Sequence, residues 1–200
     1  MKIKKWEIAL AAVFVLMMAG AMRVSAQQRA LSDKLIRLHV VANSDTQEDQ
    51  TLKLQTRDAV LEVLSGLLSG ASDRDEARQL IEENLQLIET AACGAVQAAG
   101  YDYPVAARLV FEDSPTKEYD TFSLPAGGYL SLRVVIGSGE GHNWWCVLYP
   151  PLCTASALDS DSAAVLTDDE ISLITGGGGE YVLRFRCMEL LAKVKGLFKS

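Results

Sequence analysis

Apolar and polar positions change rhythm along this chain, and each change marks an element. Met1–Lys5 is short and basic, and Ile8–Met22 is an unbroken apolar run. As a helix, that run covers only about 22 Å, short of the roughly 30 Å hydrocarbon core of a bilayer. Val24-Ser25-Ala26 then supplies the −3 and −1 residues of a cleavage site, so residues 1–26 read as an export signal. An uncleaved anchor, with Arg23 at the interface of a tilted helix, is the other reading. Leu35–Val41 mixes alternation with β-branched residues and predicts a strand. Ala42–Asp45 turns into a helix, with Ser44 or Asp45 as cap and Gln47 or Glu48 completing a capping box. Leu52, Ala59, Val60, Val63, Leu64 and Leu67 recur at helical spacing down to Gly70. A second helix is predicted from about residue 72 to 99, with Leu80, Leu87, Ile88, Ala91 and Ala95 as its apolar stripe and Gly100 as its C-cap.

Beyond Tyr101 the rhythm is that of strands: Val105–Glu112, Tyr119–Leu124, Tyr129–Ile136 and Asn143–Tyr149, punctuated by proline and glycine. Strand, two helices and a meander make an α+β fold, with the two helices on one face of a small, mostly antiparallel sheet. The compact domain is expected to span residues 27–153. Residues 154–180 hold six acidic side chains, no Lys or Arg, and the run Gly176–Gly179, and read as a solvated acidic linker. Residues 181–200 read as a basic amphipathic helix, with Cys187, Leu190, Leu191, Val194, Leu197 and Phe198 on one stripe. Such a helix lies on an anionic membrane surface or docks on the acidic body of its own chain.

The balance of charge narrows the partners. Nineteen Lys and Arg stand against 26 Asp and Glu, giving −7, and removal of residues 1–26 leaves −10. A body that acidic lacks the cations whose counterion release drives binding to phosphate backbones, so nucleic acid is excluded. Apolar residues at 49% exclude a disordered chain, and export makes disulfides permissible among the four cysteines. Cys146 and Cys153 lie close together, with Pro150 and Pro151 bending the chain between them, whereas Cys93 and Cys187 fall in predicted helices as buried thiols.

Little in the chain points to catalysis. Gly137, Gly139 and Gly141 precede a strand rather than a helix, so they read as a hairpin turn and not as a phosphate loop. His142, Cys146 and Cys153, with His39 as a fourth ligand, would make a zinc site without the paired CxxC knuckles that mark one. A thiol nucleophile at Cys146 would need His142 or His39 as base, and His142 lies about 13 Å away along an extended strand. Asn143-Trp144-Trp145-Cys146 is the most unusual stretch: alternation sends the two indoles to opposite faces, one to the core and one to a cover or an interface.

Several segments together resemble the stage II sporulation protein R family of endospore-forming Firmicutes. They are Ile36–Asp45 (IRLHVVANSD), Asp49-Gln50 with Leu52-Lys53, Arg57–Val60, Pro115–Lys117 with Tyr119, Pro125–Gly127 with Tyr129, and above all Leu132–Cys153 (LRVVIGSGEGHNWWCVLYPPLC). They cover most of residues 35–153. The resemblance implies a non-enzymatic developmental signal, made in the forespore and exported into the space between forespore and mother-cell membranes. There it would activate a membrane-embedded aspartic protease of the mother cell, which removes the pro-sequence of a sigma factor. It implies no catalytic residues, cofactor or metal. On this reading a Leu132–Cys153 hairpin, stiffened by a Cys146–Cys153 disulfide, presents Trp144 or Trp145 with Asn143 to the protease. The Asn43–Asp45 turn is a second contact. The competing class is an exported thiol enzyme or zinc-binding protein using Cys146, Cys153 and His142.

Overall fold

The computed structural model describes residues 4–119, 122–152 and 166–175. Its first helix, α1 (Lys5–Ser32), carries the apolar run and continues unbroken past Ala26, until Leu31 is fully buried in the domain. No helix among the described residues is long and apolar enough to cross a membrane. Strand β1 (Ile36–Val41) follows, then α2 (Gln47–Leu68), α3 (Arg74–Glu83) and α4 (Leu85–Ala98).

Thr46, rather than Ser44 or Asp45, caps α2: its hydroxyl accepts the Asp49 N–H at 3.3 Å. Ser44 and Asp45 are engaged elsewhere, by Asp49 and by His142. Asp73 caps α3 by accepting the Glu76 N–H, while the Glu76 carboxylate reaches back to the Ser72 N–H, a reciprocal capping arrangement. The single second helix expected from the sequence breaks at Asn84. Its side-chain amide donates to the Leu80 carbonyl at 2.8 Å and its backbone leaves the helical region. The break resets the phase, so Ile88, Ala92 and Val96 are buried while Leu87 is half exposed. Gly100, at φ +86°, ends α4 as expected, with the Tyr101 N–H reaching the Val96 carbonyl.

Four strands form the main sheet, β2 (Val105–Ser114), β5 (Gly127–Ile136), β1 and β6 (Asn143–Tyr149), in the order β2-β5-β1-β6. Two of its three pairings are antiparallel, but β1 runs parallel to β5, with Ile36 opposite Leu130 and Val40 opposite Val134. The predicted hairpin between the last two strands is therefore corrected: β5 and β6 do not pair, because β1 lies between them. The segment read as a strand over Tyr119–Leu124 is a two-residue ribbon, β3 (Lys117–Glu118) against β4 (Ser123–Leu124), with Tyr119 stacked on Phe122.

Alternation sorts the sheet's two sides. Ile36, Leu38 and Val40 join Leu132, Val134 and Ile136 beneath α2, α3 and α4 in the principal core. On the opposite side Leu31, Leu35, Phe122, Leu124, Tyr129 and Val147 form a second cluster. It includes Leu166 and Ile174, which flank and belong to a short helix, α5 (Asp168–Thr175), tied to the domain by a 2.7 Å Lys34–Glu170 ion pair. Residues 166–175 are thus packed on the domain rather than part of a solvated linker. The remainder of the acidic segment, Cys153, Cys187 and the C-terminal helix expected over residues 181–200 lie outside the described residues.

Candidate functional site

The connection from β5 to β6 must pass over the end of β1, and this crossing assembles the first candidate site. Gly137 and Gly139 turn it with φ of +59° and +66°, a conformation that side chains disfavour. The turn expected at these glycines is present, in a loop that spans a strand rather than joins neighbours. The loop lies on the Ala42–Asp45 turn: the Asn43 side-chain oxygen accepts the Ser138 N–H at 2.9 Å, and the Gly141 N–H donates to the Ala42 carbonyl at 3.0 Å. Asp45 accepts the His142 N–H at 2.6 Å and also pairs with its ring Nδ1. Asn43, Asp45 and Asn143, separate candidates in the sequence, thereby meet at one end of the sheet.

Asp49 anchors the turn from below. It is almost wholly buried and accepts hydrogen bonds from Ser44 Oγ at 2.6 Å and Asn43 Nδ2 at 2.8 Å. The Ser44 hydroxyl, foremost, holds the carboxyl below its ordinary range against the opposing effect of burial. Beside it Lys53 Nζ donates to Gln50 Oε1 at 2.6 Å and to the His142 carbonyl at 3.0 Å, and burial lowers its pKa. A carboxylate held below its unfolded pKa contributes stability above that value, and the contribution is lost as the pH falls through the folded pKa. Ser44→Ala is expected to cost about 1–3 kcal/mol at neutral pH, with the gap to the parent narrowing in acid as Asp49 protonates. Urea unfolding at neutral and acid pH measures this, and a gap constant with pH would refute the assigned role of the Asp49 carboxylate.

The two indoles part as alternation requires. Trp144 lies opposite Val40, is 36% exposed, and carries the Arg57 guanidinium 4.5 Å from its ring centre. Trp145 lies opposite His39, is 7% exposed, and stacks on that imidazole at 3.7 Å.

Trp145 belongs to a polar face that the sequence reading missed. Arg37 is fully buried, with its guanidinium 5.1 Å from the Tyr129 ring centre and 5.0 Å from that of Trp145. Its Nη2 donates to the Tyr119 hydroxyl at 3.1 Å, yet Nε and Nη1 have no hydrogen-bond partner among the described residues. Ser131, opposite Arg37 on β5, also has a buried hydroxyl without a partner among the described residues. His39 is held between Glu112 Oε1 at 2.9 Å and Asn143 Oδ1 at 3.0 Å. Burial raises the pKa of Tyr119, with Arg37 opposing, so its hydroxyl is protonated at neutral pH. The available signal was Arg37 and His39 alternating with Ile36, Leu38 and Val40, which sends both to the side away from the helices.

This geometry separates the proposed zinc ligands. His39 is committed to Glu112 and Asn143, and His142 to Asp45 at the loop. No group of three His, Cys, Asp or Glu side chains suited to a metal occurs among the described residues. His39, behind Trp145, faces away from the Cys146 side of β6, which packs in the principal core. Cys93 is a half-buried free thiol in α4. Cys146 is not a free thiol, and Cys153, its proposed partner, lies outside the described residues.

Two comparisons bear on what this arrangement does. The family model for stage II sporulation protein R matches residues 32–159. The stage II sporulation protein R of Bacillus subtilis (strain 168) is 34% identical over 146 residues, which are 73% of this chain and 65% of that protein. This chain thus spans just under two thirds of the length of that relative. No solved structure matches.

Proposed function

The chain belongs to the stage II sporulation protein R family, and from that premise we propose that it is a non-enzymatic secreted developmental signal. Residues 1–26 direct export across the forespore membrane into the space before the mother cell. There the domain binds and activates a membrane-embedded aspartic protease of the mother cell, which processes a pro-sigma factor. Its proposed contact is the end of the sheet where Asn43, Asp45, Asn143 and Trp144 meet. Trp145 is assigned to the fold instead, as the inner partner of Trp144.

The observation that carries this reading is the family match, which takes in both strands and the crossing loop that build that end. The site suits recognition more than catalysis. Its carboxylates and imidazoles are paired with one another, and a half-exposed indole stands beside an arginine, the residue types that dominate protein interfaces. A Cys146–Cys153 disulfide, proposed to stiffen the end of β6, would make signalling sensitive to Cys153→Ser.

Co-expression with the protease and the sigma-factor precursor in a non-sporulating host tests the proposal. Processing of the precursor, seen as a size change on a gel, is expected only when this chain is present with its export segment. Absence of processing with all three proteins folded would refute it.

A further inference from the structure

Strand β2 lies at one side of the main sheet, and its outer edge carries the features of a pairing surface. It keeps an unbroken register with β5, from Val105 opposite Ile136 to Ser114 opposite Gly127. Regular edges of this length are normally blunted by proline, a bulge or inward-pointing charge. Among the described residues the guard on this edge is Glu89, whose carboxylate accepts the Ala107 N–H at 2.9 Å. That bond also fixes the parity of the edge. Ala107 points its backbone away from β5, so alternation points the backbone groups of Leu109 and Phe111 the same way. Phe111 is 70% exposed, with its ring across Gly128, where a Cβ would collide with it. Arg108 is exposed beside it.

From this edge we infer that β2 pairs antiparallel with β2 of a second copy of this chain, about a two-fold axis at Val110. Opposed residues of an antiparallel pair send their backbone groups the same way, so the axis of a symmetric pair falls on a residue. Centred on Val110, it sets Arg108 opposite Glu112 of the second copy and Leu109 opposite Phe111, and symmetry repeats both pairs. Centred on Leu109 or Phe111, it sets Arg108 opposite Val110 or Ser114 and joins no charges. The parity agrees with the Val110 register: Leu109 and Phe111, whose backbone groups point outward, become the hydrogen-bonded pairs. The exposed Phe111 ring is covered by Leu109 of the second copy, and opposite charges meet across the strands. Glu112 keeps Oε1 on His39 and offers its other oxygen to Arg108 of the second copy. Glu89, at Ala107, bounds the ladder to residues 108–112. The two sheets become one, with β6 and Trp144 of each copy at its outer edges.

The test is oxidative cross-linking of the purified full chain carrying Val110→Cys, in a non-ionic detergent, beside the parent chain and Arg108→Cys. On the axis the opposed Cα atoms lie about 4.5 Å apart, within the roughly 4.4–6.8 Å that a disulfide spans. The two copies of residue 108 are four residues out of register, about 13 Å, and cannot be bridged. A covalent dimer is expected from Val110→Cys alone. Sedimentation equilibrium of the unoxidised parent is expected to show a monomer and a dimer. Arg108→Glu sets carboxylates against each other twice across the axis and should weaken that dimer about tenfold. Arg108 is exposed, so this change spares the core, and circular dichroism checks the fold of each variant. A parent that stays monomeric, equal cross-linking at positions 108 and 110, or a dimer indifferent to Arg108→Glu would each overturn the inference. The last of these is the result expected of association through the apolar run of α1. A monomeric parent that nevertheless drives precursor processing rejects the pairing and leaves the signalling role standing.

Discussion

Trp145→Ala is expected to destabilise the domain by about 3–5 kcal/mol, the range for removing a buried aromatic side chain. The indole stacks on His39 and lies under Arg37, so its loss opens a cavity and strips both side chains of their aromatic neighbour. Domains of this size have only about 5–15 kcal/mol in total, so the variant is expected to be poorly folded at ambient temperature. Trp144→Ala removes a half-exposed ring and its contact with Arg57, and is expected to cost no more than about 1 kcal/mol. Signalling should nevertheless fall in the Trp144 variant while its unfolding curve stays near that of the parent. Urea titration of both proteins beside the processing assay separates the two roles. If both variants unfold, Trp144 is a core residue and its assignment as a contact is lost.

Gly141→Ala is expected to produce the second large effect, by a different physical route. A Cβ at this position would collide with the backbone oxygen of Ser44 and lie 2.8 Å from the Ala42 Cβ. A backbone carbonyl cannot swing away as a side chain can, so the crossing loop must lift from the turn. The Gly141–Ala42 hydrogen bond and the pairing of His142 with Asp45 would go with it. Overpacking of this kind costs about 1–3 kcal/mol. Because the affected contacts lie at the end of the sheet, the core should survive while the Asn43–Asp45 arrangement is lost. The expected phenotype is a folded chain that no longer triggers processing. Full activity in a folded Gly141→Ala protein would show that the turn and loop need not be held together.

Local signals in the sequence were sufficient for much of the fold. The bounds of β6, the end of α4 at Gly100 and the opposite placement of Trp144 and Trp145 follow from alternation and from glycine's freedom at positive φ. The neighbour relations of the strands were not legible, because periodicity records which face a residue takes and says nothing of which strand lies beside it. Thus β5 and β6 look like a hairpin, with glycines between them, until β1 is found inserted. The same blindness hid one alignment across the sheet: Arg108, Arg133 and His39 come from three distant segments, and only the pairing register sets them side by side. The break at Asn84 escaped notice because a single polar residue in a long amphipathic stretch is compatible with a continuous helix.

The central position of β1 also governs when the domain can exist. This strand precedes the helical layer in the chain, yet its neighbours are β5 and β6: Ile36 waits for Leu130, and Leu38 for Cys146. Contacts so far apart in sequence are slow to form, since the loop between them must close before either strand gains from pairing. A chain made from its N-terminus therefore has no complete sheet until nearly the whole domain has emerged. Truncated products lack β6, and with it Asn143 and Trp144, and leave an edge of β1 bare. The architecture makes the end of the sheet all-or-none: a chain interrupted during synthesis carries no partial version of it.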